Sequence, residues 1–196
     1  MDMKIFQIEA NEVVPKKGRI LISSPFLIDY NFNRSVILIV QHGDEGSMGI
    51  IINKGLIYNI TLNDIFPNIN SKVKIPLFRG GPIDKDSLFY LHKLDFVHNS
   101  IPLGGGVYIN GDFNDIMDYI SGENYKSNLI KFFCGYAGWK KGQLEDEIKN
   151  NSWIVSPCKN HLIFDDKPND VWNISLDTLG GKYSIWSKYP KYPILN

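Results

Sequence analysis

The chain has 196 residues, 43% hydrophobic and 21% charged, with 21 lysines and arginines balanced by 21 aspartates and glutamates. That size supports one well-buried domain over the whole of 1–196, and the balance supplies no net field to draw the protein onto a phosphate backbone, so nucleic acid is not the expected partner. Two cysteines without CxxC spacing exclude a disulfide framework and a cysteine zinc site, and the longest purely apolar run, Val36 to Val40, is too short to cross a bilayer.

Met1-Asp2-Met3-Lys4-Ile5-Phe6 lacks a charged segment followed by a long apolar one, so a cytoplasmic protein is expected. Ile20 to Ser23, Val36 to Gln41 and Gly49 to Asn53 are β-branched runs divided by turn residues, and they read as consecutive strands of one sheet. The unbroken apolarity of Val36-Ile37-Leu38-Ile39-Val40 predicts a central strand covered on both faces. Thr61 is placed to cap a short helix carrying Leu62, Ile65 and Phe66, which Pro67 stops. Ile75 to Arg79 reads as a strand running into Gly80-Gly81-Pro82, and Leu88 to His92 and Gly106 to Asn110 read as two more.

Asp112 starts an amphipathic helix with Phe113, Ile116, Met117 and Ile120 on one face and Gly122 placed for its C-terminal cap. Leu129 to Tyr136 reads as a strand, Leu144 and Ile148 mark a helix, and Trp153 to Ser156 and Leu162 to Phe164 read as strands. Pro168-Asn169-Asp170 starts a last helix through Val171, Ile174 and Leu179, closed by Gly180-Gly181. The tail from about 182, with Tyr183, Trp186, Tyr189 and Tyr192, is too aromatic to be disordered and should pack on the body or on a neighbouring subunit. Grouped strands with intermittent helices favour an α+β fold over a doubly wound parallel sheet.

The segment Phe133 to Glu147 concentrates three glycines and two aromatics at a strand-to-helix junction. Gly135, Gly138 and Gly142 could present amides to an anion, yet Gln143, Glu145, Asp146 and Glu147 crowd the same helix start and favour a neutral or cationic ligand. The plain alternative is that the glycines let Tyr136 and Trp139 pack closely. Gly104, Gly105, Gly106 and Gly111 miss the dinucleotide fingerprint and read as a tight turn. Ser23 or Ser24 with His42 and Asp29 or Asp44 can be drawn as a hydrolytic triad, but no GxSxG elbow supports it. His42, Asp44 and Glu45 are metal-ligand types in a turn that reads as solvated, and His92, His98 and His161 have no ligand spacing, so neither metal nor cofactor is expected. Arg79, beside the exposed amides of Gly80-Gly81-Pro82, could receive a carboxylate or phosphate, or pair with an internal acid.

Lys17-Gly18-Arg19-Ile20-Leu21-Ile22-Ser23-Ser24-Pro25-Phe26-Leu27, Phe32-Asn33-Arg34-Ser35-Val36, His42-x-x-Glu45-Gly46-x-x-Gly49-x-x-x-Asn53, Gly80-Gly81-Pro82 and Gly135-Tyr136-Ala137-Gly138-Trp139-x-x-Gly142-Gln143-Leu144-Glu145 together resemble the AlgH/YqgE family of bacterial proteins, over about Lys17 to Gly180. The resemblance implies a compact α+β protein whose curved mixed sheet forms a barrel-like core flanked by helices, and a role as transcriptional regulator attributed to some members, with no enzymatic activity attached. No helix-turn-helix signature or basic face accompanies that role here.

The leading expectation is a non-enzymatic binding or regulatory protein with an unidentified small-molecule or protein partner, as a monomer or a homo-oligomer. Its groove would be walled by Ser24-Pro25, by Arg79, Gly80 and Gly81, and by Tyr136, Trp139, Gln143 and Glu145. The alternatives are a hydrolase or other small-molecule enzyme using Ser24 or Glu145 in that groove, and a nucleic-acid-binding regulator using Lys140, Lys141 and Lys149.

Overall fold

The structure is a computed structural model and describes residues 11, 13–55, 60–69, 73–164 and 170–190. Met1-to-Phe6, the Pro168-Asn169 helix start and Tyr192 lie outside the described residues. Nine strands make one sheet in the order β6-β7-β5-β8-β3-β2-β1-β9, with β4 attached to β8. The strands are β1 (Arg19–Ser23), β2 (Val36–Gly43), β3 (Gly46–Ile51), β4 (Leu77–Arg79), β5 (Ile83–His92), β6 (Ile101–Gly104), β7 (Val107–Ile109), β8 (Ile130–Trp139) and β9 (Trp153–Pro157). Only β4 runs parallel to its neighbour, so the sheet is mixed but dominantly antiparallel.

β8 joins the two halves. Its first part pairs with β5 and its last three residues, Ala137 to Trp139, pair with β3. β4 and β5 both pair with Phe132 to Cys134, so they occupy opposite edges of β8, and the chain between them must cross its face. Gly80-Gly81 makes that crossing: a Cβ on Gly81 would stand 1.9 Å from the Tyr136 carbonyl carbon, and Gly80 N–H donates to Cys134 O at 2.8 Å. Gly135 answers from below with φ +72°, a left-handed conformation that glycine adopts without Cβ strain.

Packing separates the two sheet faces. Val36, Leu38 and Val40 join Ile20 and Ile22 from β1, Leu103 from β6 and Val107 and Ile109 from β7 in one cluster, which requires the sheet to curve around it. The helices α4 (Asn160–Phe164), α5 (Val171–Leu179) and α6 (Gly181–Trp186) fill this concave side. On the outer face Ile37 and Ile39 pack with Leu144 and Ile148 of α3 (Gln143–Lys149), so β2 is covered on both sides as its composition requires. The outer face of the other half packs Phe132 and Tyr90 against Leu62 of α1 (Leu62–Ile65) and Ile116 and Ile120 of α2 (Phe113–Ser121).

The α+β class stands, but the barrel-like core does not: β6 and β9 end the sheet without a ladder between them, so it curves without closing. Other corrections are local. Leu162 to Phe164 is helical, the last three residues of α4, all of them buried in the concave cluster. β8 continues past the expected end at Tyr136 through Trp139. β6 has only four residues, one of them a proline, too little for a strand signal. Gly122 does follow α2, but with φ −80°, not left-handed. The tail packs on the body: Trp186 is fully buried, Tyr183 and Tyr189 lie against the concave cluster, and the Arg34 guanidinium sits 4.6 Å over the Trp172 ring while bonding Tyr189 O.

Candidate functional site

The glycine-aromatic segment is a folding clamp. Trp139 is 6% exposed, T-shaped against Trp153 and stacked with Phe32. Its indole N–H donates to Glu147 Oε2 at 2.8 Å, the same oxygen that accepts the Trp153 indole at 2.7 Å, while Gln143 Nε2 donates to Glu147 Oε1 at 2.9 Å. Gln143 Oε1 in turn accepts from Lys140 N–H. Glu147 thus serves the chain's own indoles, and Trp139, expected in the wall of a groove, is packed in the α3 cluster.

Gly80, Gly81 and Tyr136 do meet, through the glycine-permitted close approach that was expected, but backbone fills the meeting point. The Tyr136 ring packs edge-on against Phe89. Ser24 is buried, with its amide on Ser152 O and its hydroxyl accepting from Phe26 N–H at 3.3 Å, a turn contact next to half-buried Pro25. A ladder of hydrogen bonds links that strand end to β4: Ser35 N–H to Ser23 Oγ, Val36 N–H to Asn53 Oδ1, and Arg79 N–H to Lys54 O. The Arg79 side chain is half-buried and has no hydrogen bond or ion pair with a described residue. None of the nine expected groove residues lines the cavities described below.

Glu145 faces His42. Its Oε1 is 3.6 Å from His42 Nε2, and His42 Nδ1 is 2.8 Å from Ser47 Oγ, across the β2–β3 pair. Ser47, His42 and Glu145 thus form a row of hydroxyl, imidazole and carboxylate, whereas the Ser24 hydroxyl meets Phe26 N–H. Of the lysines considered for nucleic acid, Lys140 and Lys141 are exposed beside the acidic start of α3, and Lys149 is 3.9 Å from Asp146.

One opening lies where the sheet fails to close. A cleft of about 380 Å³ separates the β1–β9 edge from the β6–β7 hairpin. Lys16, Lys17, Gly18 and Arg19 form one lip, Gly104 and Gly105 the other, and Leu38, Leu103, Val107 and Ile163 the apolar wall between them, with Pro157, Cys158 and Asn160 at the end. Gly18, at φ +84°, brings the lips together: a Cβ there would stand 2.2 Å from Leu103 O. Asn160 Nδ2 spans the gap to Gly105 O. No carboxylate is among these lining residues. Burial pushes the Cys158 thiol up to about 12, so it is an unreactive wall; burial also raises Cys134. Sequence reasoning missed this site because its lips are 85 residues apart; the only signals were the basic Lys16-Lys17-Gly18-Arg19 and the triple glycine 104–106.

A cavity of about 220 Å³ lies beside it between Ile20, Leu162 and Leu179, and another of about 370 Å³ lies at α2 between Phe96, Tyr119, Asp115 and Asp118. Among the described residues no group of three or more histidines, cysteines or carboxylates is placed to hold a metal, and no helix is long and apolar enough to cross a membrane.

These features define an α+β protein with one curved, open mixed sheet, three C-terminal helices seated in its concavity and a basic cleft at its seam. The chain belongs to the AlgH-like family, whose model matches residues 20–184. It is 46% identical over 196 residues to a UPF0301 protein of Bacteroides thetaiotaomicron, covering 100% of this chain and 99% of that protein, and 47% identical over 192 residues to a UPF0301 protein of Bacteroides fragilis, covering 98% and 97%. Among solved structures it is similar to the AlgH protein of Pseudomonas aeruginosa, with a TM-score of 0.70, 26% identity, and coverage of 93% of this chain and 100% of that one. A protein from Corynebacterium diphtheriae shares the fold with a TM-score of 0.74 at 24% identity, covering 92% and 95%.

Proposed function

We propose that this protein is a binding protein that takes a small molecule in the seam cleft, and that any regulatory action works through that occupancy. The observation that carries the reading is the cleft itself: a volume of about 380 Å³ falls in the range of small-molecule sites, and it combines an apolar wall with convergent polar groups. An occupant would bridge the Lys16–Arg19 turn that leads into β1 and the β6–β7 hairpin, which no ladder joins, and so would stiffen the seam. Hydrogen exchange with a metabolite library tests this: binding slows exchange at 103–107 and 157–163, and a library in which no compound protects those segments defeats the reading. The groove first expected at Tyr136 and Trp139 supports it less, because Trp139 is buried, gives its N–H to Glu147 and packs against Phe32 and Trp153.

The Ser47–His42–Glu145 row favours a second reading, hydrolysis. Ser47 would attack a carbonyl carbon while His42 takes the hydroxyl proton and Glu145 steadies the imidazolium, although serine here meets Nδ1 and the acid Nε2, the reverse of the familiar order. A fluorophosphonate reports this directly: its phosphorus bonds to Ser47 Oγ, fluoride leaves and the hydroxyl proton passes to His42. Labelling lost in Ser47→Ala would support the reading, and no labelling of the native chain would remove it.

A further inference from the structure

We propose that the seam cleft selects a small organic anion, a carboxylate or phosphate ester with an apolar body. This rests on the binding reading above and adds the chemistry of the ligand. The chain as a whole carries equal numbers of acidic and basic residues, yet among the described residues the cleft gathers Lys16, Lys17 and Arg19 and no carboxylate. Three cations converging on a low-dielectric wall raise the local concentration of anions and reject cations. Arg19 is held in place by its bond to Val14 O, so its guanidinium is positioned before a ligand arrives.

The opposite lip carries no side chain of its own. Gly104, Gly105 and Gly106 have φ of +99°, +60° and +76°, and a Cβ on Gly104 or Gly106 would meet nothing within 4 Å. The Asn160 side chain rests on Gly105, while Gly104 and Gly106 leave room for a headgroup at the mouth, facing the cationic lip. Below it, Leu38, Leu103, Val107 and Ile163 offer no hydrogen-bond partner, so the body of the ligand is apolar. A polyanion fits worse, because its further charges would lie on that wall without compensation.

The test is titration of the full chain, carrying labelled Ile, Leu and Val methyls, with octanoate, octyl phosphate and 1-octanol. Octanoate or octyl phosphate should shift the Leu103, Val107 and Ile163 methyls, with 1-octanol at least about tenfold weaker, and the difference should shrink between 50 and 500 mM salt. The order of the two anions tells a carboxylate from a phosphate ligand. In Lys16→Gln/Lys17→Gln, two exposed positions whose loss should leave the fold intact, the anions should fall to within about twofold of 1-octanol. Equal binding of 1-octanol in the native chain, or anion affinity unchanged in the double variant, overturns the anion assignment and leaves the binding reading standing. Silence of the methyls toward all three probes defeats both.

Discussion

Glu147 shows how one side chain can account for a conspicuous motif. Its carboxylate accepts both buried indoles of the α3 side, so Glu147→Ala leaves two N–H groups without an acceptor in a place water cannot easily reach. A loss of about 3 kcal/mol in urea denaturation is expected, with a shift of tryptophan emission in the folded baseline, whereas Glu147→Gln keeps a carbonyl acceptor and should cost about 1 kcal/mol. Equal losses in the two variants would mean that charge, and not acceptor geometry, holds the clamp. His92 is the second telling residue. It is fully buried, its Nε2 lies 2.8 Å from Asn110 O and its Nδ1 accepts from Leu94 N–H, an arrangement that requires the neutral ring. Burial lowers its pKa below the usual 6.5, so the unfolded chain binds the proton first as pH falls. Stability should therefore be flat above about pH 6.5 and decline from there down to the depressed folded value. Urea midpoints between pH 8 and 5 check this, and His92→Gln should be less stable at pH 8 but lose part of that slope.

At the scale of elements, the crossing of β8 by Gly80-Gly81 is the least forgiving piece of local geometry. Gly81→Ala puts a carbon within 1.9 Å of backbone that belongs to the shared strand, so the expected outcome is a loss of more than about 3 kcal/mol, or no soluble folded protein. Gly43→Ala, in the β2–β3 hairpin where a Cβ meets nothing within 4 Å, should change the thermal midpoint little, and comparing the two by circular dichroism separates crowding from a general intolerance of glycine replacement. The same element shows what the sequence could and could not reveal. Gly80-Gly81-Pro82 and Gly135 were readable as sites of close backbone approach, because glycine at such positions has a local steric reason. What approaches them was not readable, because pairing partners 55 residues apart leave no local trace. β2 and α2 were legible for a related reason: an unbroken apolar run and a 3.6-residue period each encode their own burial, and Asp112 accepting Asn114 N–H confirms the start of α2. Leu162 to Phe164 failed since three apolar residues suit a buried strand or a buried helix turn equally. The aromatic junction misled for a different reason: indoles suit a ligand or a core, and only the position of Glu147 decides between them.

For the whole molecule, the shared strand and the concave helices bear on how it unfolds. β8 supplies residues to the concave cluster and to both outer ones, so neither half of the sheet can open without losing contacts of the other. The four tryptophans report unevenly on this: Trp139 and Trp153 lie in the α3 cluster, Trp172 and Trp186 in the concave one, and the α1–α2 cluster has none. If the α1–α2 side were an independent unit, tryptophan fluorescence and far-ultraviolet circular dichroism would give different urea midpoints. A single unit requires them to coincide, and native-state exchange should then show β8 amides opening only with the global transition. Trp186 sharpens the point, since α6 closes the concavity from the end of the chain. Trp186→Ala should cost about 3–5 kcal/mol and move the fluorescence and dichroism midpoints together. Midpoints that separate in that variant would show that the tail stabilises only the concave side and that the seam, where the sheet stays open, divides the protein into parts that melt on their own.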